Sequence, residues 1–240
     1  MKLTDHSTMV FDCYGTLIDW ETGLAEALEP WLARQGVALD RDELLSRFAE
    51  LEAELEAESP ESRYPEILAR VHRRLSERLG LPPDDEAARA FAASIPDWEP
   101  FEDSRQALEE LRGSFRLVVL SNVDRESFAA SSEKLGRPFD LVVTAEDVGA
   151  YKPDPRGFRV VLGRLAEEDV APEEVLHVAQ SLFHDIGPAK RLGLATCWID
   201  RRGAKRGFGA TPPPTRDVEP DLRFGSMAEL VEAVGREGGL

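Results

Sequence analysis

Ser7-Thr8-Met9-Val10-Phe11-Asp12-Cys13-Tyr14-Gly15-Thr16-Leu17 is a short apolar run that stops at a carboxylate and enters a turn. An unbroken apolar run of this length, closed by turn residues, predicts a strand over 7–11 that is buried on both faces. The same pattern recurs along the chain. Phe115 to Leu120 runs into Ser121-Asn122, Leu141 to Thr144 into Glu146-Asp147, and Val175 to Ala179 into Gln180-Ser181. Ala195 to Ile199 makes a fifth strand, and a weaker edge strand is expected around Leu222. Strands of this kind alternating with helical stretches predict an α/β fold, a doubly wound parallel sheet covered by helices. In such sheets ligands bind outside the carboxyl ends of the strands, so the polar residues that follow each strand should converge.

The first two strands are separated by about a hundred residues, far more than a βα connection needs. Apolar residues at helical spacing predict helices over 24–34, 41–57, 64–79 and 85–93, punctuated by Gly36, Ser59-Pro60, Gly80 and Pro82-Pro83. The expected organisation is therefore a catalytic core of 1–20 and 100–240 with a helical cap of 21–99, the active site lying between them. The Gly- and Pro-rich segment 201–219 reads as a surface loop.

The chain has 240 residues and a formal net charge of -17, which excludes a nucleic-acid-binding surface because such surfaces cluster Lys and Arg. No apolar stretch is long enough for a membrane span, and Met1 to Thr8 lacks the apolar region of a signal peptide, so a cytoplasmic location is expected. Cys13 and Cys197, distant and set in apolar runs, support neither a disulfide framework nor a zinc site. Six glutamates, at 50, 52, 54, 56, 58 and 61, read as a solvated helix face rather than a metal site.

Four constellations carry the chemistry. Asp12 ends a strand above a turn whose amides can face an anion, which suits a nucleophile and equally suits a turn initiator. Ser121-Asn122 offers a hydroxyl and an amide, and is also a common cap pair. Lys152, held between Tyr151 and Pro153, suits a fixed cation beside carboxylates or a solvated loop lysine. In the run Gln180 to Asp185, Asp185 suits a water-holding acid, a partner for Lys152 or an acid near a helix N-terminus.

Taken in order, these four resemble the motifs of the haloacid dehalogenase superfamily: Asp12 and Thr16 in the first, Ser121 in the second, Lys152 in the third and Asp185 in the fourth. The resemblance covers nearly the whole chain and implies a Rossmann-like core with an inserted helical cap. Most members are magnesium-dependent phosphatases with a second acid where this chain has Tyr14, and with a metal-binding acid where it has Gln180. Both departures fit the 2-haloacid dehalogenase branch, which needs no metal. That resemblance implies attack by Asp12 on the α-carbon of an L-2-haloacid, with Lys152 neutralising Asp12 and Asp185 serving the hydrolytic water. It also implies that Thr16 and Ser121 bond the Asp12 carboxylate, and that Tyr14, Asn122 and His184 face the substrate. The cap arginine of that branch matches Arg47 in Leu45-Ser46-Arg47-Phe48-Ala49-Glu50-Leu51-Glu52, although an ion pair with Glu43 or Glu50 accounts for Arg47 as well. Phe158, Gln180 and Leu182 depart from the branch's tyrosine, serine and asparagine.

No cofactor is therefore expected. Two alternatives remain: a magnesium phosphatase holding its ion on Asp12 and Asp185, and a catalytically silent binding member. The expected partner is a small anionic organic substrate; neither nucleic acid nor membrane is expected, and a homodimer is compatible with the sequence.

Overall fold

A computed structural model describes residues 1–205 and 207–240. The loop expected over 201–219 has no regular secondary structure at its described positions, and residue 206 within it lies outside them.

Six strands form one sheet: β1 (Thr8–Phe11), β2 (Arg116–Ser121), β3 (Leu141–Thr144), β4 (Val175–Ala179), β5 (Ala195–Ile199) and β6 (Leu222–Phe224). Their order is β3-β2-β1-β4-β5-β6, and every pairing is parallel. The chain winds outward from β1 through β2 and β3, then returns to start again at β4 on the other side. The order therefore reverses between β1 and β4, and the crevice at their carboxyl ends is the natural binding place. Both strands are buried along their whole length, as central parallel strands covered by helices must be. Alternation along β1 sends Met9 and Phe11 into one core cluster and Val10 into the other, one on each side of the sheet.

Four helices lie between β1 and β2: α1 (Trp20–Arg34), α2 (Arg41–Glu58), α3 (Tyr64–Arg78) and α4 (Asp85–Ala92). Three begin on an aspartate whose carboxylate accepts a backbone N–H: Asp19 for α1, Asp40 for α2 and Asp84 for α4. In α3 the buried positions Tyr64, Ile67, Leu68, Val71 and Leu75 trace a single stripe, which faces the neighbouring helices. The ways into and out of this helical segment run side by side. Asp19 N donates to Glu99 O at 2.8 Å, and Phe101 N to Leu17 O at 3.0 Å. Gly23 of α1 sits against the Trp98 indole so closely that any Cβ would overlap it.

The remaining helices, α5 (Ser104–Leu111), α6 (Arg125–Lys134), α7 (Ala145–Val148), α8 (Arg156–Ala166), α9 (Gly187–Arg191) and α10 (Met227–Arg236), cover the sheet. A single π-turn, Leu182–Ile186, precedes α9. Among the described residues no helix is long and apolar enough to cross a membrane.

Candidate active site

Beyond β1 the chain turns back on itself, with Leu17 N and Ile18 N both donating to Cys13 O. Gly15 makes the bend possible, because its φ of 87° lies in the region that side chains disfavour. The turn brings Thr16 beneath Asp12, where its hydroxyl donates to Asp12 Oδ2 at 2.6 Å and accepts the Gln180 N–H at 2.9 Å. Lys152, from the segment between α7 and α8, enters from the side. Its ammonium donates to Asp12 Oδ1 at 2.8 Å, Asp185 Oδ1 at 2.7 Å and Leu120 O at 2.9 Å, so all three of its protons are used. Asp185 comes from the π-turn, and its Oδ1 also accepts from His177 Nε2 at 2.9 Å. Asp12, Lys152 and Asp185 are all buried.

Two carboxylates sharing one ammonium leave a net negative charge in a buried site. Burial raises the Asp12 carboxyl above the ordinary carboxylate value, Lys152 opposes this, and the charge of Asp185 adds to it. Burial also works to raise Asp185, but Lys152 and His177 together hold it down at about 2. Burial disfavours the Lys152 ammonium, yet its two carboxylate partners outweigh that and raise its affinity for the proton. His184 is buried and driven down to about 4, so its ring is neutral at physiological pH.

The cavity over Asp12 is small, about 40 Å³ for the centre of a water-sized molecule. Tyr14, Asn122, Lys152, His184 and Asp185 all line it. A larger groove of about 920 Å³ beside the π-turn and the 214–221 segment touches none of the three charged residues, so chemistry rather than size marks the site.

The structure thus gathers Asp12, Thr16, Lys152 and Asp185 and turns Tyr14, Asn122 and His184 toward the same cavity. Tyr14 presents its ring, since its hydroxyl is engaged by Ser131 Oγ at 2.7 Å. Three expectations need correction. Arg47 is on the solvent face of α2, paired with Glu43 Oε1 at 2.6 Å, and does not line the cavity. The buried stripe of α2 runs through Leu44, Leu45, Phe48, Leu51 and Leu55, and Arg47 falls outside it. Ser121 is buried but does not bond Asp12, and its Oγ has no hydrogen-bond partner among the described residues. The Asn122 amide is spent on the Lys152 backbone, accepting its N–H at 2.6 Å and donating to its carbonyl at 3.0 Å, so it positions Lys152.

The glutamate run is also not uniformly solvated: Glu52 and Glu56 are 3% and 6% exposed and line the cavity. They follow Phe48 at steps of four residues, the spacing of one helix face, and that was the available signal. His177 also escaped the sequence reading. A histidine within a continuous apolar strand looks like a core residue, and only the fold shows that it faces Asp185.

The donor set does not fit magnesium, which demands near-octahedral oxygen ligation. Asp12 and Asp185 each spend an oxygen on Lys152, Gln180 offers no charge, and no group of three or more His, Cys, Asp or Glu fit to hold a metal occurs among the described residues.

A profile of haloacid dehalogenase-like hydrolases matches residues 6–193. The chain belongs to this family. The hydrolase is similar to (S)-2-haloacid dehalogenase H-109 of Pseudomonas putida, 32% identical over 218 residues that span 88% of this chain and 92% of the relative. It also resembles a phosphoserine phosphatase of Thermus thermophilus, 30% identical over 168 residues, 67% of this chain and 62% of that protein. The solved L-2-haloacid dehalogenase of Xanthobacter autotrophicus shares the fold, with a TM-score of 0.78 at 23% identity over 96% of this chain and 98% of that one.

Proposed function

We propose that this hydrolase converts L-2-haloacids to 2-hydroxy acids without a metal or other cofactor, through an ester on Asp12. The observation that carries this reading is the pairing of Asp12 with Lys152 beside a Tyr14 that cannot supply a leaving-group proton. An Asp12 carboxylate oxygen attacks the α-carbon, and the carbon–halogen bond breaks with its electron pair leaving as halide. A halide departs without a proton, so the missing acid at position 14 does not hinder the step. Lys152 and Thr16 fix the orientation of Asp12. Water then attacks the ester carbonyl, giving a proton to the Asp185–His184 side of the cavity; the bond from the carbonyl carbon to the substrate oxygen breaks, that oxygen takes up the proton and leaves as the 2-hydroxy acid, and the water's second proton is released to solvent as the Asp12 carboxylate is regenerated. The 21–99 segment acts as the cap over a core of 1–20 and 100–240, and a cytoplasmic protein acting on a small anionic substrate completes the reading.

The test is halide release from L-2-chloropropionate in EDTA, alongside phosphate release from a generic phosphomonoester with magnesium. Halide release unaffected by EDTA and abolished by Asp12→Asn supports the proposal. Magnesium-dependent phosphate release without halide would replace it with the phosphatase reading. Turnover of neither, with no adduct on Asp12 by mass spectrometry in the Asp185→Asn protein, would favour a silent binding protein.

A further inference from the structure

Resting on the dehalogenase reading, one question is what holds the substrate's carboxylate. Lys152 has no proton left to offer, Arg47 is outside, and among the described residues no arginine lines the cavity. The cavity wall contributed by α2 consists instead of Glu52 and Glu56. The Tyr64 hydroxyl holds Glu52 Oε1 at 2.7 Å. Glu56, 6% exposed, makes no hydrogen bond among the described residues and lines both the inner cavity and an outer vestibule of about 410 Å³. A buried carboxyl left without a partner and aimed into a binding cavity is a group waiting for a ligand.

We propose that Glu52 and Glu56, in their protonated form, donate hydrogen bonds to the carboxylate of the substrate and so replace a cap arginine. Two carboxyls on successive turns of one buried helix face cannot both ionise beside the residual negative charge of Asp12, Lys152 and Asp185. Burial pushes Glu52 up to about 8, and burial together with the charge of Glu52 pushes Glu56 well above the ordinary value. A carboxylic acid kept neutral by its surroundings serves as a hydrogen-bond donor at neutral pH. Access fits as well: the vestibule and the inner cavity share Glu56, Lys152 and His184, so an anion arriving by way of the vestibule meets Glu56 where the two join, and Glu52 lines the inner cavity together with Asp12.

The other groups facing this pair come from the β1 turn, α3, the segment before α8 and the π-turn. From the β1 turn, Asp12 is raised by burial against the opposing charge of Lys152, while Cys13 and Tyr14 are pushed well above their ordinary values. From α3, Tyr64 is raised by burial and by Glu52. From the segment before α8, Tyr151 and Lys152 are raised, and the Asp154–Arg156 pair stays charged on the vestibule rim. From the π-turn, His184 and Asp185 are already neutral and ionised respectively.

The experiment has two arms on the intact protein. The first measures KM for L-2-chloropropionate between pH 6.5 and 9.5; the expected result is a flat KM up to about pH 8 and then a rise of about tenfold per pH unit. The second titrates L-lactate calorimetrically in buffers of different ionisation enthalpy at pH 9, where binding should take up protons. Glu52→Gln and Glu56→Gln keep donor N–H groups, so each should bind lactate at pH 7 within a few-fold of wild type, and the protein carrying both substitutions should lose the alkaline rise. A flat KM to pH 9.5, or lactate binding without proton uptake, overturns the proposal and leaves the dehalogenase reading standing. Lactate bound with proton uptake by a protein that releases no halide overturns the reaction and leaves the carboxylate site standing. A loss of lactate binding at pH 7 in both Gln variants, coupled with binding of 2-chloroethylamine by wild type, would show instead that the pair is ionised and recognises ammonium.

Discussion

Replacing Glu52 by Gln keeps the side chain's shape and the oxygen that accepts from Tyr64, and removes only the titrating proton. In the folded chain burial holds this carboxyl at about 8, against an ordinary 4.5. At about 1.4 kcal/mol for each tenfold change in proton affinity, the gap corresponds to roughly 5 kcal/mol. The direction follows from which state keeps the proton. Below the ordinary value both states hold it, and the stability of the native fold is fully present. As pH rises the unfolded chain releases the proton while the folded chain retains it, so stability is lost progressively until the folded carboxyl itself ionises near 8. The Gln protein has no such slope. Relative to their difference at pH 4, Glu52→Gln should gain roughly 3 kcal/mol on wild type by pH 7 and roughly 5 kcal/mol by pH 9. For a chain of this size that is a widening of Tm on the order of 10 °C. Thermal unfolding followed by circular dichroism at pH 4, 5, 7 and 9 measures it directly. Curves for the two proteins that run parallel across this range would show that Glu52 is not a buried, protonated acid, and would remove the physical basis of the carboxyl pair.

Three further outcomes are expected. Lys152→Met leaves two buried carboxylates without their shared cation, and urea unfolding should show a loss of about 3–5 kcal/mol; a smaller loss than about 1 kcal/mol would mean that solvent already reaches Asp12 and Asp185. Arg47→Ala breaks only an exposed pair with Glu43, so stability should stay within about 0.5 kcal/mol and KM for L-2-chloropropionate within about twofold; a large rise in KM would restore Arg47 as a substrate ligand. Because Asp12 must be ionised to attack and burial raises its carboxyl above the ordinary 3.8, the acid limb of kcat/KM should lie above that value, and a limb at or below it would contradict the burial argument.

The core was legible because a parallel sheet leaves little choice. Once β1 and β4 are central strands, Asp12 and the residues after Ala179 must meet at the reversal of strand order, and Lys152 follows from being the one lysine beside them. The helical face was harder. Arg47 and Glu52 are both charged residues in an acidic helix, and nothing in their identity says which points inward; that depends on how α2 rotates against Phe48 and its partners. Charge suggested that every glutamate faces water, yet the i, i+4 spacing from Phe48 puts two of them on the apolar side. Ser121 and Asn122 show a similar limit. Position after a strand brings a polar residue near the site, but hydrogen-bond competition decides its partner, and the Lys152 backbone claims the Asn122 amide.

The charges around Asp12 also explain why an acidic wall and an anionic substrate are compatible. Asp12, Asp185 and Lys152 together retain one negative charge, and a haloacid carboxylate brings another into the same small volume. With ionised glutamates this would be prohibitive; with protonated ones each added negative charge makes the proton harder to remove. By reciprocity, a ligand that binds better when the pair is protonated must itself raise the pair's affinity for protons. The residual charge that looks hostile to an anion therefore keeps the wall in the state that can receive one. When the ester forms, the halide leaves but the carboxylate stays, so the two donors hold the acid through both chemical steps while Lys152 remains with Asp12 and Asp185.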